Sequence, residues 1–374
     1  MLRTPSPRNN PPRRELALLL LGLTALFAAV HPAQAALGDR IMVAEAQFRA
    51  GVDRIWINGA NTPWHSWNDF GGSFDPAWWD AHFQSLHAAG INATRVWITC
   101  NGEVGIQIDS AGQVRGATSA HWNDLDRLFE IARRHRIYVM ATLLSFDHFK
   151  DSHPGHDRWR QWLRRDDTID SFIEHYLVPF VHRYRDNPYL WSIDLMNEPD
   201  WVHENADNGR FPWTRLQSYF ARGARAIHAN SGILVTVGIA MPKYNSDSTQ
   251  GAVGNMIGDV ALRAQLNDPD ARVDFYSVHY YDWIGKFSGN LFYQNPAAAG
   301  LPTDKPNLFG EMPANGTKGH TTAEDYEGAY RNGWQGAMGW TSNGVDDNGS
   351  LRQLAPATEA FREHHRTLVF PGEP

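Results

Sequence analysis

Residues 189–199 read YLWSIDLMNEP, and the first eight of them, Tyr189 to Met196, form an apolar, β-rich run that stops at Asn197-Glu198-Pro199. A continuous apolar run, rather than an alternating one, fits a strand buried on both faces, as in a parallel sheet covered by helices. The same unit recurs on both sides of it. Upstream, residues 54–58 (RIWIN) read as a first strand entered from an extended segment around Phe48, and residues 91–99 (INATRVWIT) and 137–145 (IYVMATLLS) read as the next two. Downstream, 233–240 (ILVTVGIA), 273–279 (VDFYSVH), 307–311 (NLFGE) and 337–341 (AMGWT) complete eight.

Helical patterns separate these runs. Residues 76–89 start with Asp75 placed as N-cap and Pro76 in the first position. Residues 121–134 carry Leu125, Leu128, Phe129 and Ala132 on one stripe. Further helices are expected over 169–184, 213–229, 260–266, 322–332 and 355–365, while 284–305 marks no clear helix. Alternating strands and helices predict an α/β fold, a single-domain (β/α)8 TIM barrel. A doubly wound open sheet is the competitor, but no Gly-rich phosphate turn follows the first strand. No repeat of solenoid type and no linker divides the chain.

The N-terminus reads separately. Arg3, Arg8, Arg13 and Arg14 precede the apolar stretch 16–30, and Ala33-Gln34-Ala35 supplies a small-x-small cleavage pattern. The apolar stretch is shorter than the ~20 residues of a membrane span. A signal peptide over 1–35 is expected, with a secreted or periplasmic product; Arg13-Arg14 fit a twin-arginine signal and a general secretory one equally well. Removing 1–35, which holds four Arg and one Glu, would leave 339 residues and change the formal charge from −7 to −10. An acidic exported chain without a basic run is a poor nucleic-acid partner. The single cysteine, Cys100, excludes an internal disulfide. A soluble product with no membrane association after cleavage, acting as a monomer, is expected. Fifteen Trp in 374 residues suit either stacking on sugar rings or a large core.

In a barrel, chemistry sits where the strands end at their C-terminal side. After 54–58 come Asn61, Trp64 and Trp67. The second strand carries Arg95 and Trp97, the third ends in Asp147-His148, and the fourth in Asn197-Glu198-Pro199. The sixth ends in His279-Tyr280-Tyr281, the seventh in Glu311, the eighth at Trp340. Two carboxyls, Glu198 and Glu311, on opposite sides of an eight-strand ring fit hydrolysis of a glycosidic bond, in which one protonates the leaving oxygen and the other attacks or activates water. Glutamates here can bring the carboxyls to the ~5–5.5 Å of a retaining mechanism. Taken singly, Glu198 could be a turn residue and Glu311 a helix-start charge.

WSIDLMNEPDW with FGE about a hundred residues later, together with RVW, H-x-Y and a late strand-end Trp, resembles clan A glycoside hydrolases and, within them, glycoside hydrolase family 5. The likeness runs from INGANTPW at 57–64 to GAMGWTSNG at 336–344. It implies Glu198 as general acid/base, Glu311 as nucleophile and Asn197 as the amide reading the sugar 2-hydroxyl. It further implies Arg95 as the arginine keeping the nucleophile ionised, His279 beside the acid/base, and Tyr281 as donor to the nucleophile. Tyr280 leaves the tyrosine assignment open. Trp340 matches the platform beneath the sugar, and His148 is the loosest match. Trp64 and Trp283 are expected to bind substrate; Trp201 and Trp283 are either subsite walls or core. Neither metal nor organic cofactor is expected: His153-x-x-His156-Asp157 reads as a solvated loop. Asn92-Ala93-Thr94 matches a glycosylation sequon but falls in a strand. The expected partner is a β-1,4-linked polysaccharide or oligosaccharide, with the sequence leaning to endo-acting β-mannanase over β-glucanase or exo-β-mannosidase. A non-catalytic carbohydrate-binding barrel would need a broken carboxylate pair. A barrel acting on phosphorylated metabolites would need Gly-rich turns after the seventh and eighth strands.

Overall fold

The computed structural model describes residues 40–373; the expected signal peptide lies outside them. Each apolar run pairs in parallel with the next. The strands are β1 (Ile57–Asn61), β2 (Ala93–Trp97), β3 (Tyr138–Ser145), β4 (Leu190–Asn197), β5 (Leu234–Ile239), β6 (Tyr276–His279), β7 (Asn307–Pro313) and β8 (Gly336–Trp340). β8 returns to pair with β1, and the sheet closes as an eight-stranded barrel. Every strand residue except Pro313 is buried, since helices cover the outside and side chains fill the inside.

The first strand starts later than the sequence suggests. Asp53 and Arg54 pair with Ala50 and Arg49 in a separate antiparallel sheet formed with Ile41–Ala44 and Gln47–Ala50. Turn and sheet chemistry there outcompetes the apolar run, and Ile55 and Trp56 lead from that sheet into the barrel. Phe48 on this sheet packs edge-on against Trp191 and Phe275, at 5.4 and 5.2 Å, near the N-terminal ends of β4 and β6.

The first barrel helix starts at the expected cap. Asp75 accepts from the backbone N–H of Ala77 and Trp78, and Pro76 opens the helix Pro76–Ala88. The helix Ser119–His135 buries His121, Leu125, Leu128, Phe129 and Ala132, and Arg136 ends it in the left-handed conformation. The expected helix over 169–184 is interrupted by a π turn at Ile173–Leu177. Pro179, which lacks an N–H, is the second residue beyond it, and a wider turn accommodates the missing bond. The helix expected over 355–365 is Leu351–His364, which begins a turn earlier and carries Pro356 inside; the carbonyl this frees belongs to the exposed Arg352.

Between β6 and β7 there are only a one-turn helix, Gly285–Ser288, and a 3-10 turn, Leu291–Tyr293. Gly, Asn and Pro punctuate this stretch and prevent longer helices. It is anchored by packing instead: Phe292 stacks on Phe309 of β7 at 4.0 Å, and Phe309 on Trp334 at 3.8 Å. Burying one such ring stabilises by about 1.5–3 kcal/mol. Among the described residues no helix is long and apolar enough to cross a membrane.

Candidate active site

The strand ends converge on a cleft of about 620 Å³ at the C-terminal rim. Its centre is set by irregularities in the ladder. The β4–β5 register shifts between Thr236 and Gly238, and the β7–β8 register between Phe309 and Met312. Such bulges re-aim side chains, and here they turn Glu198 and Glu311 towards each other. One oxygen of each carboxyl and a ring nitrogen of His279 lie within 4.8 Å of one another.

Glu198 has φ 49° and ψ 55°, a left-handed backbone that costs a non-glycine residue about 1–2 kcal/mol. The surroundings hold it there. Its N–H donates to the carbonyl of Gly238 (2.8 Å), and Pro199 opens a short helix. The buried Asp200 accepts from the N–H groups of Ala240 (3.2 Å) and Met241 (2.7 Å), tying that helix to the end of β5. The Glu198 side chain, 14% exposed, accepts from Trp201 Nε1 at Oε2 (2.9 Å) and lies 2.8 Å through Oε1 from His279 Nδ1.

Glu311 takes Arg95 Nη1 at Oε1 and the Tyr281 hydroxyl at Oε2, both at 2.8 Å. Arg95 is wholly buried and uses all its nitrogens: Nε and Nη2 donate to Asp194 Oδ2 at 3.0 and 2.7 Å, and Nη2 also to Asn197 Oδ1 at 2.7 Å. Burying a guanidinium demands such partners. Since Asn197 gives its oxygen to Arg95, its amide nitrogen is left for the cleft that Asn197 lines. Asp194 additionally accepts from Thr142 Oγ1 and from the N–H of Gly238.

His279 fits only because glycines flank it. A Cβ at Gly238 would stand 2.8 Å from its Nε2, and one at Gly310 would stand 3.1 Å away. Burial lowers the imidazole pKa to about 4, so the ring is neutral. Nε2 has no partner, and an unpaired acceptor is tolerated better than an unpaired N–H. The proton therefore sits on Nδ1 and is donated to Glu198.

Burial raises the Glu198 carboxyl to about 7, against the pull of Arg95 and Trp201. Burial also raises Glu311, opposed by His279, Arg95 and Tyr281 and reinforced by Glu198. Arg95 and the Tyr281 hydroxyl thus favour the ionised form of Glu311 against desolvation, which is the larger effect. Burial pushes the Tyr281 phenol up, so it remains a donor. A divalent cation could be imagined between Glu198, His279 and Glu311, but a guanidinium 2.8 Å from one ligand oxygen would repel it.

Tyr281, not Tyr280, reaches Glu311; Tyr280 turns into the apolar cluster around Phe292. Trp340, Trp64 and Trp97 wall one side of the cleft, with centroids 5.1–6.2 Å apart. Trp201 and Trp283 wall the other, 6.1 Å apart, and Trp283 is 42% exposed. His148 does not reach the cleft. It is fully buried, its Nδ1 accepting from the Ser145 N–H and its Nε2 3.1 Å from Thr99 Oγ1. The neighbouring Asp147 lines the cleft in its place. His153, expected in a solvated loop, also lines it, 3.4 Å from Asp147 and stacked near Trp67. Sequence reasoning missed Asp194, although one carboxylate inside an apolar strand signals a buried cation partner. It also missed Lys150 and Asp346 on the cleft wall, for which no sequence signal exists. Asn92 is buried with its amide donating to two carbonyls, which closes it to glycosylation.

Facing carboxyls on a barrel rim, fixed by a buried arginine and walled by indoles, define a glycoside hydrolase. The cellulase model, glycosyl hydrolase family 5, matches residues 54–339, and the chain belongs to that family. It is 26% identical to a mannan endo-1,4-beta-mannosidase of Mytilus edulis, covering 90% of this chain and 96% of that one. Two solved structures share the fold at 24% identity. The beta-1,4-D-mannanase from Cryptopygus antarcticus has a TM-score of 0.77 over 86% of this chain and 94% of its own. The endo-1,4-beta-mannanase from Eisenia fetida has 0.76 over 86% and 95%.

Proposed function

We propose that the protein is an exported, monomeric endo-β-1,4-mannanase that works by double displacement, with Glu311 as nucleophile and Glu198 as acid/base. The observation that carries this reading is the pair of close carboxyls with unequal donors. Glu311 is bonded by a guanidinium and a phenol, Glu198 by two neutral rings. A proton shared by such a pair resides on Glu198.

In the first step a Glu311 oxygen bonds to the anomeric carbon as the glycosidic C–O bond breaks, and Glu198 gives its proton to the leaving oxygen. In the second, Glu198, now ionised, takes a proton from water, whose oxygen displaces Glu311 from that carbon. Loss of the Glu311 charge in the ester lowers the Glu198 pKa between the steps. The Asn197 amide nitrogen is placed to donate to the 2-hydroxyl, and Trp340 to carry the sugar face.

Mannan as substrate rests on the Mytilus relative, whose similarity spans nearly both chains. Mid-chain cleavage is supported by a cleft lined on both sides of the carboxyls, towards Trp67 and His153 and towards Trp201 and Trp283. The test is release of reducing ends from mannan, glucomannan and soluble cellulose derivatives, with Glu311→Ala as control. Mannan is expected to be cleaved fastest and into oligosaccharides; faster cleavage of the cellulose derivative overturns the substrate, and undiminished hydrolysis in the variant overturns the mechanism.

A further inference from the structure

The helix that follows Glu198, Pro199–Glu204, has six residues, and a helix that short does not hold itself together in water. The stretch 238–244, at the end of β5, grips it along its length instead. The Gly238 carbonyl takes the Glu198 N–H at 2.8 Å. Asp200 Oδ1 and Oδ2 accept from the N–H groups of Ala240 and Met241 at 3.2 and 2.7 Å. At the far end Glu204 accepts from Lys243 Nζ and, at 2.7 Å, from the Tyr244 hydroxyl.

These grips are not equivalent. The Lys243 and Glu204 side chains are 31% and 30% exposed, so water competes for that pair. Asp200 is fully buried, and its two oxygens meet two successive N–H groups, which fixes both the position and the rotation of the carboxyl. Its neighbour Trp201 donates from Nε1 to Glu198 Oε2 at 2.9 Å. Asp200 therefore stands between the residue that carries the proton and the residue that aims it. Burying a carboxyl is costly; what it adds here is a fixed distance between β5 and the turn at Glu198.

We infer that Asp200 is a positioning residue for the acid/base: it locks the Glu198 turn and the Trp201 indole to β5, so that the Glu198 carboxyl meets the leaving oxygen. The inference rests on the proposed function, in which Glu198 is the proton donor. A proton passes over about 2.6–3.2 Å, and a misplacement of about 1 Å can slow a step by about 10²-fold. Asp200 does not line the cleft, so its loss is felt where Glu198 has to move a proton.

The experiment compares kcat/KM on phenyl and 2,4-dinitrophenyl β-mannobioside, alike in reach but unlike in leaving group, since only the phenyl glycoside needs an acid. Asp200→Ala should lower kcat/KM about 30-fold on the phenyl glycoside and no more than about twofold on the other. Asp200→Asn, which keeps the shape and loses one N–H bond, should lose about fivefold on the phenyl glycoside alone; it carries the comparison should alanine prevent folding. Equal losses on the two substrates, or none on either, overturn the inference. Glu198→Ala is the reference. If its own loss is equal on both, the acid assignment fails and the inference falls with it; a selective loss there beside unselective losses at Asp200 overturns the inference alone. If cellosides are cleaved in place of mannosides, the matching aryl cellobiosides serve in the same way.

Discussion

At the end of β4 the backbone is strained into the left-handed region, and its carboxyl accepts from an indole and a neutral imidazole. At the end of β7 a bulge delivers the other carboxyl to a guanidinium and a phenol. Both sites are dry enough to push a glutamate upwards. The difference lies in the charge of the donors, and in the mechanism we propose it separates two copies of one side chain into a proton carrier and a nucleophile. Asp194 extends the contrast: it anchors Arg95 from below, so the arrangement at β7 depends on a residue in the middle of β4.

Removing each partner should break this contrast in order of size. Glu311→Ala should lower kcat on mannan by at least about 10⁴-fold, measured by reducing-end release, since no other group can form the ester. Glu198→Ala should cost about 10²–10⁴-fold on mannan but far less on a dinitrophenyl glycoside, whose leaving group needs no proton; equal losses on both would deny Glu198 the acid role. Asp194→Asn should reduce kcat by about 10²-fold with little change in KM, because it loosens Arg95 rather than a substrate contact.

Smaller effects sharpen the proton assignment. With Glu198 near 7, kcat/KM should fall as pH rises through about 7, as the acid form is lost. Trp201→Phe removes a donor to the carboxylate, so this limb should move to higher pH. The same group bears on stability. Its folded pKa exceeds its ordinary value of 4.5, so the folded state binds more protons and stability falls as pH rises from about 4.5 to about 7. Glu198→Gln should therefore gain on the order of 3 °C in Tm over the wild type at pH 8 compared with pH 4, by calorimetry.

The barrel was readable because buried parallel strands leave continuous apolar runs, as in 137–145 and 189–196, and because polar residues appear where those runs stop. Glu198, Glu311, Asn197, His279 and Trp340 all stood at such stops, while Arg95 showed itself as a lone charge inside the run 91–99. His148 and Asp147 were confused because adjacent residues in a tight turn point in different directions, and only the capping of Ser145 decides which turns inward. Asp346 and Lys150 reach the cleft from loops whose path is set by packing, not by local pattern. Phe292 shows the same for 284–305, where contacts with Phe309 replace a helix.

The central claim is tested most directly by trapping with a 2-deoxy-2-fluoro-β-mannosyl fluoride, followed by peptide mapping of the inactivated enzyme. The expected result is one adduct per chain, on Glu311. An adduct on Glu198, or inactivation with no covalent sugar on either glutamate, would contradict the account.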